Sequence, residues 1–288
     1  MNRKSSEKIE MQDIIDYYDQ TRFDYNVAWL NKENLAVHFG FYDEEADKHA
    51  DALSNTNRIL ADLASIKEGE LVLDAGCGKG GSCFWLVKNR AATTIGISPV
   101  PSQIEECQQH AKTNDLEKQA QFQVADYCAT PFPDAHFDVV WACESLCHAP
   151  QKQNFYKEAY RILKPGGRLV IAEYLRSKRP LIQTEEDLLM SWLNRWAIAD
   201  IDSKEEHENH AKKEGFIQIR VEDYTPYTWI SLKNLHKISR RWLWIGVILR
   251  ALGIRSKVQH GNQVGSIRQF EALQKGLWYY GVITAVKE

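Results

Sequence analysis

The stretch at residues 71–81, LVLDAGCGKGG, constrains this chain more than any other part of it. An apolar run, 71–73, ends in Asp74. Four glycines, Gly76, Gly78, Gly80 and Gly81, then lead into a helical pattern over 82–90. The order is strand, tight turn, helix. Glycines permit positive φ and let a ligand approach the main chain closely. The helix behind such a turn offers unpaired N–H groups at its N-terminus. Gly76, Gly78 and Gly81 also satisfy G-x-G-x-x-G. A dinucleotide site with that spacing wants an acidic residue about 20 positions on, at the end of the next strand. Here the next strand, 92–97, ends in Ser98. The glycine spacing alone therefore does not choose the ligand.

The rest of the chain supplies an alternation around this turn. Strands are expected near 70–75, 92–97, 122–124, 137–142 and 168–173, with helices near 79–89, 102–113 and 151–163 between them. Strand–helix alternation predicts a doubly wound, mostly parallel α/β sheet with right-handed crossovers. The Lys164-Pro165-Gly166-Gly167 run breaks the last helix and turns into strand 5. Two helices are expected first, near 7–30 and 45–66, the second facing Leu53, Ile59, Leu60 and Leu63 inward. They read as an N-terminal helical lid. After strand 5 come an apolar helical segment at 181–200, a charged helix at 203–214 and a strand at 215–224. A third helical block at 231–275 and a terminal strand at 278–286 complete the chain. Strands 6 and 7 should pair, with strand 7 antiparallel, giving a seven-stranded sheet with helical cap insertions. The organisation expected is a lid over 1–66, a ligand-binding core over 67–175, and cap helices with the last two strands over 176–288.

Bulk properties remove several classes. The chain has 288 residues, 44% hydrophobic and 26% charged, with a net charge of −3. That is globular composition without the basic field of a nucleic-acid binder. Apolar runs of about eight residues fall far short of a membrane span. The charged N-terminus lacks an apolar signal core, so a cytoplasmic protein is expected. Six cysteines, at 77, 83, 107, 128, 143 and 147, form no C-x-x-C pair and read as reduced thiols, with no zinc site. His207 and His210 lie at i, i+3, but their charged surroundings suggest a solvated helix, not a metal centre.

Several further segments fall in register with the glycine turn: Ala125-Asp126 after strand 3, Pro131-Phe132-Pro133, 137–140 (FDVV) and 163–171 (LKPGGRLVI). Together with D-x-G-x-G they resemble the motifs of class I S-adenosylmethionine-dependent methyltransferases over about 70–175. Tyr17-Tyr18-Asp19, His38-Phe39-Gly40, the GISPVPSQ run at 96–103 and Glu144 to His148 narrow the resemblance. They look most like the small-molecule branch containing tocopherol, sterol and isoprenoid methyltransferases and cyclopropane-fatty-acid synthases.

The resemblance implies roles by position. The backbone of Gly76, Cys77 and Gly78 would hold the methionine end of S-adenosylmethionine, with Asp74 on its ammonium. Asp126 would accept from the adenine amino group, and Tyr127 would line the ring. Gln103, with Ser98, would stand at the ribose. Tyr18 and Cys143 complete the expected cofactor contacts. Glu144 and His148 follow strand 4 at its carboxyl end, where open α/β sheets place ligands. An i, i+4 spacing puts them on one face if the segment is helical. The implied reaction is in-line displacement of a methyl from a sulfonium, with positioning and water exclusion prominent. His148 suits a general base where the acceptor must lose a proton, and equally a residue that only positions substrate. Glu144 could pair with the sulfonium, cap a helix or orient His148. A nicotinamide-linked oxidoreductase and a non-catalytic binding module stand as rival readings.

The acceptor should be small and largely apolar. The prologue and the later segments hold Trp29, Trp192, Trp196, Trp229, Trp242, Trp244 and Trp278, which would close a pocket over the methyl. The run 242–249 is flanked by Lys237, Arg240, Arg241, Arg250 and Arg255. It fits the core of a helical cap. It fits equally an apolar face that touches a membrane surface, or flanks that hold an anionic head group.

Overall fold

A computed structural model describes residues 9–28 and 34–288. Two helices open the chain, α1 (Met11–Ala28) and α2 (His49–Leu63). Strand β1 (Leu71–Ala75), helix α3 (Gly81–Arg90), β2 (Thr93–Ser98), α4 (Pro101–Thr113) and β3 (Ala120–Val124) follow. Next come β4 (Phe137–Cys143), α5 (Lys152–Ile162) and β5 (Leu163–Arg176). The last third holds α6 (Gln183–Leu193), α7 (Lys204–Glu214), β6 (Phe216–Asp223), α8 (Thr225–Arg241), α9 (Leu243–Ala251), α10 (Lys257–Gln274) and β7 (Trp278–Lys287).

The seven strands form one sheet in the order β3-β2-β1-β4-β5-β7-β6. The pairs among β3, β2, β1, β4 and β5 are parallel. Strand β7 runs antiparallel to both β5 and β6, as the sequence leads one to expect. The winding direction reverses between β1 and β4, which pair Asp74 against Trp141. A crevice opens there beyond the carboxyl ends of both strands. The glycine turn and the segment from Cys143 to His148 leave the sheet at that crevice side by side.

Central strands are apolar along their whole length because both faces are covered. Consecutive residues alternate between the faces. Val72, Val139, Trp141 and Val170 pack on one side with Trp192, Trp278 and Tyr280. Leu73, Val140, Leu169 and Ile171 pack on the other with Phe155, Tyr156 and Ile162. Each such buried side chain contributes about 1.5–3 kcal/mol of transfer free energy.

Three expectations change. Leu53 and Leu60 of α2 are buried, but Leu63 is exposed, because the helix ends there and its last turn leaves the sheet. The single helical block expected at 231–275 is three helices. The chain breaks at Trp242 and again around Gly253, whose φ of 72° ends α9. Helix α10 restarts on a capping box in which Ser256 Oγ accepts from Gln259 N and Gln259 Oε1 accepts from Ser256 N. Helix α7 is not solvated all round. His207 is fully buried and its Nδ1 is hydrogen-bonded to the Tyr156 hydroxyl at 2.9 Å. His210 bridges Gln153 Oε1 and Asp202 Oδ2. Trp29 lies outside the described residues.

Candidate active site

The glycine turn is shaped by what crosses it. Gly76 (φ 98°), Gly78 (φ 51°) and Gly80 (φ 78°) all take left-handed conformations. A Cβ on Gly76 would stand 2.3 Å from Ser145 Cβ, and one on Gly78 would stand 3.0 Å from Val37. The space above the turn is therefore closed from two directions. One is the segment after β4, where Ser145 Oγ donates to Ala75 O at 2.5 Å. The other is the segment around Val37, ahead of α2. Neither contact leaves room for a side chain, so bare backbone faces the crevice.

Asp74 ends β1 beneath this turn with 2% of its surface exposed. Burial pushes its carboxyl up to about 7, opposed by the Cys83 thiol, which donates to Oδ2 at 3.3 Å. A buried carboxylate with so little compensation favours a cation beside it. Ser98 ends β2 and donates to Gln103 Oε1 at 2.8 Å. The position that lacks an acid thus orients an amide and leaves its NH2 to donate. Asp126 sits in the turn after β3, where Oδ1 accepts from Cys128 N at 2.8 Å. Tyr127 donates its hydroxyl to Ser145 O at 2.9 Å, which joins that turn to the segment after β4.

Glu144 and His148 do not share a helical face. Glu144 adopts a left-handed φ of 51°, and only 146–148 coil, into one 3-10 turn. The two side chains go separate ways. Glu144 Oε1 accepts from Phe39 N at 2.7 Å and from the Tyr280 hydroxyl at 2.8 Å, while Oε2 accepts from the Tyr174 hydroxyl at 2.5 Å. It ties the prologue loop to β5 and β7, and burial raises its carboxyl to about 7 against those three bonds. It makes none of the contacts to a helix end or to His148 that its sequence position suggested. His148 accepts or donates at both nitrogens. Its Nδ1 lies 3.1 Å from Ala197 O, an acceptor, so Nδ1 carries the proton. Nε2 then accepts from the Tyr18 hydroxyl at 2.9 Å. Burial lowers its pKa to about 4, so the ring is neutral at pH 7.

All twelve residues singled out from the sequence line one cavity of about 1060 Å³: Tyr18, Asp74, Gly76, Cys77, Gly78, Ser98, Gln103, Asp126, Tyr127, Cys143, Glu144 and His148. Its lining combines the turn, Ser98, Gln103 and Asp126 at the sheet's carboxyl edge with Trp196, Ile198, Leu235, Ile238, Trp242 and Asn262 of the segments after β5, the cap end. Of the tryptophans expected to close this end, Trp196 and Trp242 do so. Trp192 and Trp278 are core instead, and Trp229 and Trp244 are exposed. Aromatic content marked the cap, but the face each ring presents depends on helix breaks that composition does not encode.

Glu173 is the residue the sequence did not single out. It is fully buried inside β5, and burial pushes it up to about 7. Its carboxylate accepts from Cys147 N at 2.7 Å and from Tyr174 N at 2.8 Å. It thereby pins the 3-10 turn that carries His148 to β5. The available signal was a glutamate inside an otherwise apolar strand, which demands a buried partner.

A family model described as a methyltransferase domain matches residues 73–171, the span that contains the crevice strands. The 27-O-demethylrifamycin SV methyltransferase of Amycolatopsis mediterranei (strain S699) is 31% identical over 196 residues, 68% of this chain and 71% of that protein. The chloroplastic tocopherol O-methyltransferase of Arabidopsis thaliana is 26% identical over 95% of this chain and 81% of its own. Among solved structures, the [4+2]-cyclase SpnF matches with a TM-score of 0.78 at 21% identity, covering 96% of each chain, a likeness of fold alone. The extent and level of the first of these similarities, with the motifs above, decide between the readings of the glycine turn: the chain belongs to the S-adenosylmethionine-dependent methyltransferases.

Proposed function

We propose that this protein methylates a small, largely apolar acceptor, of isoprenoid, sterol-like, quinone-like or aromatic character, held in the cap end of the cavity. One observation carries this reading. A single cavity joins a glycine turn with a buried carboxylate to a wall of aromatic and aliphatic side chains. Its volume of about 1060 Å³ exceeds what the cofactor end alone needs, and pockets of this size bury most of a drug-sized ligand.

The residues present fit the cofactor. Asp74, a buried carboxylate without a cationic partner in its hydrogen bonding, suits the ammonium. The backbone of Gly76 to Gly78 would lie against the methionine end, Gln103 against the ribose and Asp126 against the adenine amino group. When bound, S-adenosylmethionine supplies a methyl group already activated by a sulfonium. What this chain adds is positioning and exclusion of water. Glu144 acts as a positioning residue, because its three hydrogen bonds hold the prologue loop across the glycine turn as a lid. Tyr18, expected from the sequence to contact the cofactor, is assigned here to the acceptor side on the strength of its hydrogen bond to His148. A proton leaving an acceptor hydroxyl would pass to Tyr18 Oη as the Tyr18 proton moves to His148 Nε2. A base with a pKa near 4 is weak, so this step supports the transfer without dominating it.

A rival function for the same fold is binding or reshaping a substrate without methyl transfer, since fold does not fix function. A competition assay with labelled S-adenosylmethionine separates them. Its panel holds lipophilic metabolites, peptides and RNA, and begins with whatever molecules co-purify as identified by mass spectrometry. Methyl incorporation into a member of the lipophilic set is the expected result. Robust methylation of a peptide or RNA alone would overturn it.

A further inference from the structure

The segment at 224–270 contains eight Lys or Arg residues and no Asp or Glu, in a chain whose net charge is −3. Leu232, Ile267 and Phe270 of this segment are buried, but many of its other apolar side chains are not. Of the sixteen large hydrophobic residues exposed among the described residues, ten fall between Tyr227 and Ile254. In α9 only Gly246 is buried, while Trp244 is 62% exposed and Val247 and Ile248 are about half exposed. Leu252 and Ile254, in the turn that follows, are exposed further. The reading of this run as a cap core is therefore overturned. Lys237, Arg240, Arg241 and Arg250 are exposed around the same face. Nine residues cannot cross a bilayer, and no described helix is long and apolar enough to do so. A short apolar helix with basic flanks and tryptophans suits the headgroup boundary instead.

The face also meets the cavity. Ile238 and Trp242 of this segment, and Met11 and Phe23 of α1, line the cavity and are exposed. Ile238 and Trp242 lead in sequence directly into α9.

We propose that the C-terminal half of α8 together with α9 docks on an anionic lipid surface, so that the cavity rim at Ile238 and Trp242 faces the membrane. This deepens the lipophilic-acceptor reading and rests on it for the direction of acceptor entry. Charge favours this occupant over a second copy of the chain. A two-fold dimer through this face would set its basic residues against one another. Anionic headgroups instead complement Lys237, Arg240, Arg241 and Arg250, and the ring of Trp242 already lies 5.8 Å from the Arg241 guanidinium.

Flotation of the full chain with vesicles tests this without any acceptor, so its failure leaves the methyl-transfer reading standing. The vesicles are phosphatidylcholine alone, or phosphatidylcholine mixed with phosphatidylglycerol. Binding to the anionic vesicles only, weakening with salt, is expected. Reversing Arg240→Glu and Arg250→Glu should weaken it by roughly fivefold or more for each basic residue lost. Trp244→Ser with Ile248→Ser should abolish it. A retained rise in melting temperature with S-adenosylhomocysteine shows that each variant is folded. Equal binding to neutral vesicles, or variants that float like the wild type, would overturn the proposal. So would absence of flotation, whether or not the chain forms a concentration-dependent dimer that Trp244→Ser disrupts.

Discussion

The Tyr18 hydroxyl donates to His148 Nε2 at 2.9 Å, while His148 Nδ1–H is held by Ala197 O at 3.1 Å. This joins α1 to the turn after β4 and fixes the tautomer of the ring. Tyr18→Phe should leave cofactor affinity nearly intact and lower turnover. His148→Ala should do the same, with a loss near the low end of the range for general bases, about 10²-fold. Isothermal titration with S-adenosylhomocysteine and single-turnover kinetics separate the two effects. Since burial lowers His148 to about 4, its limb of the pH–rate profile should fall near pH 4 and not near neutrality. A loss mainly in cofactor affinity would show the pair to serve the cofactor instead.

Asp74 gives a pH signature of the same sign at a higher pH. Burial raises it to about 7 in the free protein, and an ammonium partner needs the ionised form. Affinity for S-adenosylhomocysteine should be constant above pH 7 and weaken about tenfold per unit as pH falls below it. Linkage fixes the sign of the stability effect. A carboxyl whose folded pKa lies above its unfolded value of about 4 stabilises the fold below pH 4, and loses that contribution as pH rises through about 7. Without cofactor, Asp74→Asn should therefore be more stable than wild type above pH 7, with no advantage below pH 4. With cofactor it should bind weakly at every pH.

The parts legible in the sequence were those written in local chemistry. The glycine turn and Asp74 before it are short signals within one βα unit, and Asp126 follows β3 two such units on. The mostly parallel, doubly wound sheet followed from alternation, and the antiparallel β7 from the pairing expected of the last two strands. What was not legible depends on contacts far apart in sequence. Glu144 bonds to partners 105, 30 and 136 residues away, so nothing near it announced its role. His148 read equally as a base and as a positioning residue, because the sequence does not say whether its imidazole is exposed. Its burial is a property of the assembled cap. The run 242–249 looks the same in sequence whether it is core or surface. The breaks at Trp242 and Gly253, which turn α9 outward, decide it.

Glu144→Gln tests the tie between the lid and the sheet. The substituted amide keeps one acceptor oxygen but sets an NH2 against a site supplied by donors from Phe39, Tyr174 and Tyr280. A buried donor without an acceptor costs about 1–3 kcal/mol. The melting temperature should fall accordingly. The KM for acceptor should rise as the prologue loop loosens, because the lid closes the site that both ligands share. Thermal denaturation and steady-state kinetics read these separately. An unchanged KM with lowered stability would confine Glu144 to holding the fold.

Leu235 of α8 lines the cavity, half-buried, among the cap residues. Its side chain faces the space assigned to the acceptor, so Leu235→Trp should fill part of that space. Overpacking a well-formed site costs about 1–3 kcal/mol. That corresponds to a rise of roughly 5- to 150-fold in acceptor KM, or loss of the bulkiest acceptors from the range accepted. Affinity for S-adenosylhomocysteine should not change, since the residues proposed to hold it lie at the sheet's carboxyl edge. Selective exclusion of bulky acceptors, with small ones still methylated, is the pattern expected of a wall residue. Equal losses for acceptors of every size would show that the substituted helix had moved. Weakened cofactor binding would place the two ligands closer together than the cavity's division implies.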